Sequence, residues 1–296
     1  MKDSFSTYHP AVNMLYFALV IGFSMVFMHP VCLGVSFLCA LAYSVYLKRG
    51  KAVRFSLLFT LPMLIITAVL GPLFNHGGGT ILAYFPDGNP LTLESILYGI
   101  AAAVMLFCVI NWFSCYNEVM TSDKFVYLFG RVIPALSLIL SMSLRFVPRF
   151  KAQLKVISDA RRCVGRDASN GGVLTRAKNG IAILSIMVTW ALENAIETAD
   201  SMNARGYGLP GRTAFSIYRF DRRDLIALIF LTVCGGCLIL GSAFGGLYFR
   251  YFPTVKGVGV TGFSLSMYAV YFALCVSPLV INIREGIKWN AIQSKI

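Results

Sequence analysis

The hydrophobic positions of this chain fall into long stretches that carry no Lys, Arg, Asp or Glu. These lie between Asp3 and Lys48, Arg54 and Asp87, Glu94 and Glu118, Asp224 and Arg250, and Lys256 and Arg284. Each is long enough to hold the roughly 20 apolar residues with which an α-helix crosses a bilayer core. The first holds two spans, because His29-Pro30 marks a turn where proline ends the preceding helix. The pattern therefore predicts six spans near 10–28, 31–47, 55–74, 96–117, 225–249 and 259–283. A further apolar piece, Val132 to Leu144, is too short to cross and is expected to lie in or dip into the membrane.

Composition agrees with this reading. Hydrophobic residues make up 57% of the 296 and charged ones 13%, against roughly 25% charged in an average soluble domain. The chain is expected to be an all-α polytopic membrane protein with the first span retained, so its solvent is largely lipid. Charge then sets the orientation. Lys48, Arg49, Lys51 and Arg54 share one loop, and 14 of the 26 Lys and Arg residues lie in 145–224, while 75–95 has none. Short cytoplasmic loops are enriched in Lys and Arg, so both basic regions belong inside. Both termini then fall in the cytoplasm of a multi-pass plasma-membrane protein, with 75–95 and 250–257 outside. The net charge of +13 reads as inside loops facing anionic lipid headgroups, with no nucleic acid as partner. The organisation is a membrane region over 1–144, a cytoplasmic block over 145–224 and a second membrane region over 225–296.

The chemistry-bearing residues are sparse. Seven of the eight cysteines fall in predicted spans, and Cys234-Gly-Gly-Cys237 lacks the surroundings of a redox motif, so packing is their expected role. His9, His29 and His76 have no Cys, Asp or Glu neighbours at ligand spacing, so neither a metal nor any other cofactor is expected. The outer loop Asn75 to Ser95 opens with three glycines and carries a Pro86-Asp87-Gly88 turn, which predicts a hairpin-like excursion. Gly241 and Gly245 form a Gly-x-x-x-Gly in the fifth span, a face for close packing on another helix.

The cytoplasmic block carries the most information. Pro148 suits the first turn of a helix, and Phe150, Leu154, Ile157 and Arg161 follow at helical spacing. Lys151, Lys155 and Arg162 take another face, and the helix is expected to break near Gly165. A second helix is predicted over Thr175 to Ala204, with an apolar core, Ile181 to Leu192, too short to span and suited to the membrane surface. Glu193 and Glu197 stand one turn apart on it with Asp200 nearby, a spacing open both to acid–base chemistry and to a solvated face. Arg205 precedes Gly206 and Gly208, which readily take left-handed conformations, so it projects from a helix end. Such an arginine suits bidentate contact with carboxylates on a partner, or an interaction with its own helix dipole.

Ala204-Arg205-Gly206-Tyr207-Gly208, followed by Pro210-Gly211-Arg212-Thr213, resembles the second Ala-Arg-Gly signature of the transmembrane T component of energy-coupling factor transporters, a family that includes the membrane subunit of cobalt and nickel uptake systems. Leu144 to Pro148 resembles the lead-in to that family's coupling helices, and the Gly-rich outer loop resembles its counterpart. The resemblance implies a non-catalytic subunit whose two coupling helices dock into two cytoplasmic ATPases, while its membrane helices hold a substrate-binding S component for vitamin or transition-metal-ion uptake. It places ATPase docking at Ala204, Arg205 and Gly206. At the first signature Cys163-Val164-Gly165 stands where Ala-Arg-Gly is expected, so the arginine position holds Val164, with Arg162 or Arg166 as substitute. The frame Ala160-Arg161-Arg162 keeps Ala-Arg and loses the glycine. An integral membrane enzyme using Glu193, Glu197 and Asp200 on a lipid-linked substrate is the competing reading, and an autonomous transporter is a third. The charge-free spans weigh against both, because such proteins place ionisable groups at membrane depth.

Overall fold

A computed structural model of the chain describes residues 3–75, 77–84, 89–130, 134–166, 169, 172–207, 209, 218–257, 259 and 261–293. Among the described residues the regular structure is helical apart from two short hairpins. α1 (Pro10–Val26) and α2 (Pro30–Lys48) open the chain. α3 (Gly50–Phe55), a π turn at Ser56–Thr60 and α4 (Leu61–Phe74) follow as one continuous helical segment. β1 (Ile81–Tyr84) and β2 (Pro90–Thr92) precede α5 (Leu93–Val119). Then come α6 (Ser122–Gly130), α7 (Pro134–Cys163), α8 (Val173–Ala204) and α9 (Arg222–Ala243). β3 (Phe249–Arg250), β4 (Lys256–Gly257) and α10 (Gly262–Gln293) complete the chain.

All six predicted spans are helical. α2, α5, α8, α9 and α10 are long and apolar enough to cross a membrane, and α1 and α4 are shorter apolar helices. The predicted surface helix, α8, is thus one of five such helices among the described residues, with the lowest mean hydropathy of the set at 1.3. The outer excursion is a hairpin, with Ile81 opposite Thr92, Ala83 opposite Leu91 and Tyr84 opposite Pro90. Its predicted Pro86-Asp87-Gly88 turn lies outside the described residues, as do His76 and Gly208.

Pro148 departs from expectation. It sits inside α7, which runs unbroken through the Leu144–Arg145 boundary, instead of starting a helix. Proline there removes the N–H that would bond to the carbonyl four residues earlier and crowds that carbonyl with its ring, a cost that the turns on either side carry in a helix of 30 residues.

Contacts divide the chain into two compact units, one of residues 1–121 and 218–296 and the other of 122–217. In the first, α5 packs on α4, α2 and α1, and α10 on α2 and α9. Trp112, Tyr16, Tyr43 and Tyr271 are its largest fully buried side chains. In a lipid-solvated bundle every buried polar group needs a protein partner. The Trp112 indole N–H donates to Ser36 Oγ at 3.0 Å, the Ser36 and Ser24 hydroxyls are hydrogen-bonded at 2.8 Å, and Ser24 Oγ lies 3.1 Å from the Tyr271 hydroxyl. His9 and His29 each cap the helix after them, their Nδ1 atoms accepting from the backbone N–H of Ala11 and Val31. The side-chain carbonyl of buried Asn282 accepts from the backbone N–H groups of Ser4 and Phe5, at 2.7 and 3.1 Å, and so pins the N-terminal segment.

Glycine contacts show where helices approach closely. A Cβ on Gly71 of α4 would come within 2.7 Å of the Cα of Gly99 on α5. On α9, a Cβ at Gly235 would meet Leu19 of α1 at 3.1 Å, and one at Gly241 would collide with the Met267 sulfur of α10. Gly245 follows the end of α9 at φ 77, with nothing within 4 Å of an added Cβ. At the hairpin, Gly78 has φ 148, and a Cβ there would meet Glu94 Oε2 and Thr92 Oγ1 at 2.7 Å. That space is taken by the Glu94 carboxylate, which accepts from the Thr80 hydroxyl at 2.5 Å and the Thr80 backbone N–H at 3.2 Å.

Candidate docking site on the two long helices

The second unit contains α7 and α8, and they meet through aromatic side chains. The Phe150 and Trp190 rings approach edge to face with centroids 5.7 Å apart, and the Arg149 guanidinium lies over the Trp190 ring at 5.6 Å. Ile157 and Ile183 are the buried aliphatic residues of this pair among the described residues. Phe150 and Ile157 therefore do what their helical spacing predicts, while Leu154 is 44% exposed. Lys151, Lys155 and Arg162 are exposed on α7.

Both helices end in the same hydrogen-bond pattern. At the end of α8 the Gly206 N–H donates to the Asn203 carbonyl at 3.0 Å and the Tyr207 N–H to the Met202 carbonyl at 3.1 Å, with Gly206 at φ 73. At the end of α7 the Gly165 N–H donates to the Arg162 carbonyl and the Arg166 N–H to the Arg161 carbonyl, both at 3.0 Å, with Gly165 at φ 71. Each is a Schellman closure, in which a left-handed residue lets two N–H groups reach back to carbonyls that the helix leaves unpaired. Glycine suits that conformation because it has no Cβ to clash.

The equivalence is positional as well as conformational. Arg205 is the residue before the left-handed glycine on α8, and Val164 is its counterpart on α7. The side chains flanking the two glycines are exposed: Val164 is 74% accessible, and Arg162, Arg166, Ala204 and Arg205 also face solvent. By helical rise, Arg205 lies about 22 Å along α8 from Trp190, and Val164 about 21 Å along α7 from Phe150. The aromatic contact thus sits at nearly the same distance from each capped end.

Arg161 behaves differently from its neighbours. Its Nε is buried with no hydrogen-bond partner among the described residues, so the Ala160-Arg161-Arg162 frame offers a half-buried arginine where Arg205 is exposed. Glu193, Glu197 and Asp200 are all exposed on α8. The Pro210-Gly211-Arg212-Thr213 continuation of the second signature lies outside the described residues, as do Asp167, Ala168, Asn170 and Gly171 of the turn between the helices.

The sequence reading missed the crossing pair Arg149–Trp190 and the Gly71–Gly99 contact. Isolated glycines in apolar runs were the available signal for the second, but periodicity does not say which helix faces which.

Similar proteins place the chain in a family. Residues 2–215 match the model of the family described as "Cobalt transport protein". An energy-coupling factor transporter transmembrane protein of Listeria innocua is 31% identical over 190 residues, covering 59% of this chain and 70% of that protein. Its namesake in Brevibacillus brevis is 28% identical over 244 residues, covering 76% and 84%. The Lactobacillus helveticus protein of that name is 30% identical over 158 residues, 48% of this chain and a little over half, 57%, of the relative. With a matching family model over most of its length and the two like-capped helices inside that match, this chain belongs to the cobalt transport protein family, the family of the transmembrane T components of energy-coupling factor transporters.

Proposed function

We propose that this chain is the coupling subunit of an energy-coupling factor importer, passing ATP-driven motion of two cytoplasmic ATPases to a membrane-embedded, substrate-binding S component. The observation that carries this reading is the pair of identically closed helix ends, one of which presents Arg205 to solvent beside a left-handed glycine. A guanidinium fixed at a helix end makes planar, bidentate contacts with carboxylates, the chemistry of docking into an acidic groove.

In this reading Ala204, Arg205 and Gly206 dock one ATPase. Gly165, with Arg162 or Arg166 in place of the missing arginine, docks the other. The exposed apolar residues of α8, among them Ile181, Leu184, Leu192 and Ile196, are covered by partners or lipid in the assembly. Residues 145–224 form the cytoplasmic part between membrane regions 1–144 and 225–296, with both termini inside. Gly241 serves helix packing at the fifth span, against Met267 of α10, while Gly245 lies past the helix end and takes no part in it. The cargo is a vitamin or a transition-metal ion delivered by the S component, and hydrolysis belongs to the ATPases. The subunit itself is non-catalytic, a reading supported by the exposure of Glu193, Glu197 and Asp200, since an acid–base pair depends on desolvation or a close partner to shift its proton affinity.

The test is affinity purification from native membranes in mild detergent with mass spectrometry of what comes along. Two related ATPases and a small hydrophobic protein are expected. Recovery of the chain alone across several detergents would remove the coupling role.

A further inference from the structure

A cavity of about 500 Å³ lies where α2 and α5 end, lined by Leu47, Lys48, Arg49, Phe55, Ser114 and Glu118. Its size falls in the roughly 300–1,000 Å³ range of small-ligand sites. Its chemistry is mixed in an ordered way. Lys48 Nζ is held by Ser114 Oγ at 2.7 Å, which fixes the ammonium on one wall. Arg49 adds an exposed guanidinium, Glu118 an exposed carboxylate, and Leu47 and Phe55 an apolar side. Among the described residues no ion pair joins Glu118 to either cation.

The backbone singles out Arg49. It is the only non-glycine at positive φ among the described residues, at φ 50 and ψ −131, although Gly50 stands next to it. A side chain held in that region costs conformational energy, and such positions cluster at ligand sites. The strain turns the chain directly after Lys48, so two successive basic residues line one cavity. α2 and α5 are both apolar enough to cross a membrane, so the cavity where they end lies at headgroup depth.

We infer that this cavity binds the headgroup of a zwitterionic aminophospholipid, with Lys48 and Arg49 on the phosphate, Glu118 on the primary ammonium, and Leu47 and Phe55 against the start of an acyl chain. A free phosphate ion offers the same oxygens. The apolar wall and the membrane depth favour the lipid, and the carboxylate favours an ammonium-bearing headgroup over a purely anionic one. The inference needs only that the chain spans a membrane and is independent of the docking role of Arg205.

The experiment is native mass spectrometry of the purified full chain, stripped of lipid and titrated in mixed micelles with phosphatidylethanolamine, phosphatidylglycerol or phosphatidylcholine. Phosphatidylethanolamine is expected to be retained best. Phosphatidylcholine, whose quaternary ammonium has no N–H for Glu118, is expected to bind about tenfold more weakly, the worth of one charge-assisted hydrogen bond. Glu118→Gln should remove that preference while leaving phosphatidylglycerol binding in place. Lys48→Gln and Arg49→Gly should each weaken all three lipids, and the second relieves backbone strain, so its loss of lipid cannot be put down to misfolding. Equal retention of the three headgroups, or wild-type retention by Arg49→Gly and Lys48→Gln, would overturn the site. Displacement of bound lipid by millimolar inorganic phosphate, with no headgroup preference, would make it a phosphate-ion site and overturn the lipid assignment.

Discussion

The ends of α7 and α8 share a backbone and differ in side chain. Both close with a glycine near φ 70 and the same two reaching-back hydrogen bonds, yet one places Arg205 and the other Val164 at the residue before the glycine. The comparison separates two jobs that a motif such as Ala-Arg-Gly merges. Glycine makes the corner, a requirement of local sterics that both ends obey. In the proposed reading arginine equips the corner for an acidic partner, and only one end carries it at that position. The partner surfaces facing the two ends are therefore expected to differ, the one at Arg205 acidic and the one at Val164 less dependent on a single carboxylate.

The largest effect expected is for Arg205→Glu. Inverting a charge that would be paired and desolvated in the complex should weaken ATPase retention by at least about 2 kcal/mol, or some 30-fold, with membrane insertion unchanged. Copurification of the ATPases at the wild-type level would end the docking role of this arginine. Next is the double substitution Arg162→Ala with Arg166→Ala on the valine-bearing end. If either arginine stands in for the missing one, retention should fall several-fold, less than for Arg205→Glu, and the loss should shrink as salt rises because these side chains are exposed. A loss as large as that of Arg205→Glu would make the two ends equals after all.

The two glycines test the shared backbone directly. Gly165→Ala and Gly206→Ala should each cost about 1 kcal/mol in thermal unfolding of the purified chain, because a Cβ at positive φ is strained. The cost at Gly206 should be slightly larger, since its Cβ would also meet Leu209 Cδ1 at 3.1 Å while nothing lies within 4 Å at Gly165. Costs of very different size would break the equivalence of the two closures. The smallest effect is expected for Val164→Arg. The position is 74% exposed, so stability should stay within about 0.5 kcal/mol of wild type.

Much of the candidate site was legible in the sequence because its signals are local. Left-handed glycines, an arginine before one of them and a basic helical face are each readable within a few residues, and the structure has helix ends at Gly165 and Gly206. What was not legible were the relations between these signals. The contact of Trp190 with Phe150 and Arg149 depends on which faces of two helices meet, and hydrophobic periodicity assigns a face without assigning its neighbour. Pro148 misled for a related reason. Proline is favoured at a helix start and disfavoured in its interior, but the α7 residues on both sides support one helix strongly enough to carry the lost bond.

The sequence by itself determined that the chain is a multi-pass helical membrane protein, where its apolar helices lie, and where the two long helices of the 122–217 unit stop. These follow from sums over neighbouring residues, of hydropathy in one case and of backbone preference in the other. Only the tertiary structure decided that Gly71 meets Gly99, that Asn282 holds the N-terminal segment, that Ser24, Ser36, Trp112 and Tyr271 form one buried polar chain, and that Lys48, Arg49 and Glu118 line one cavity. Each of these joins residues far apart in the chain, and a partner chosen by packing geometry leaves no imprint on the local pattern of either residue.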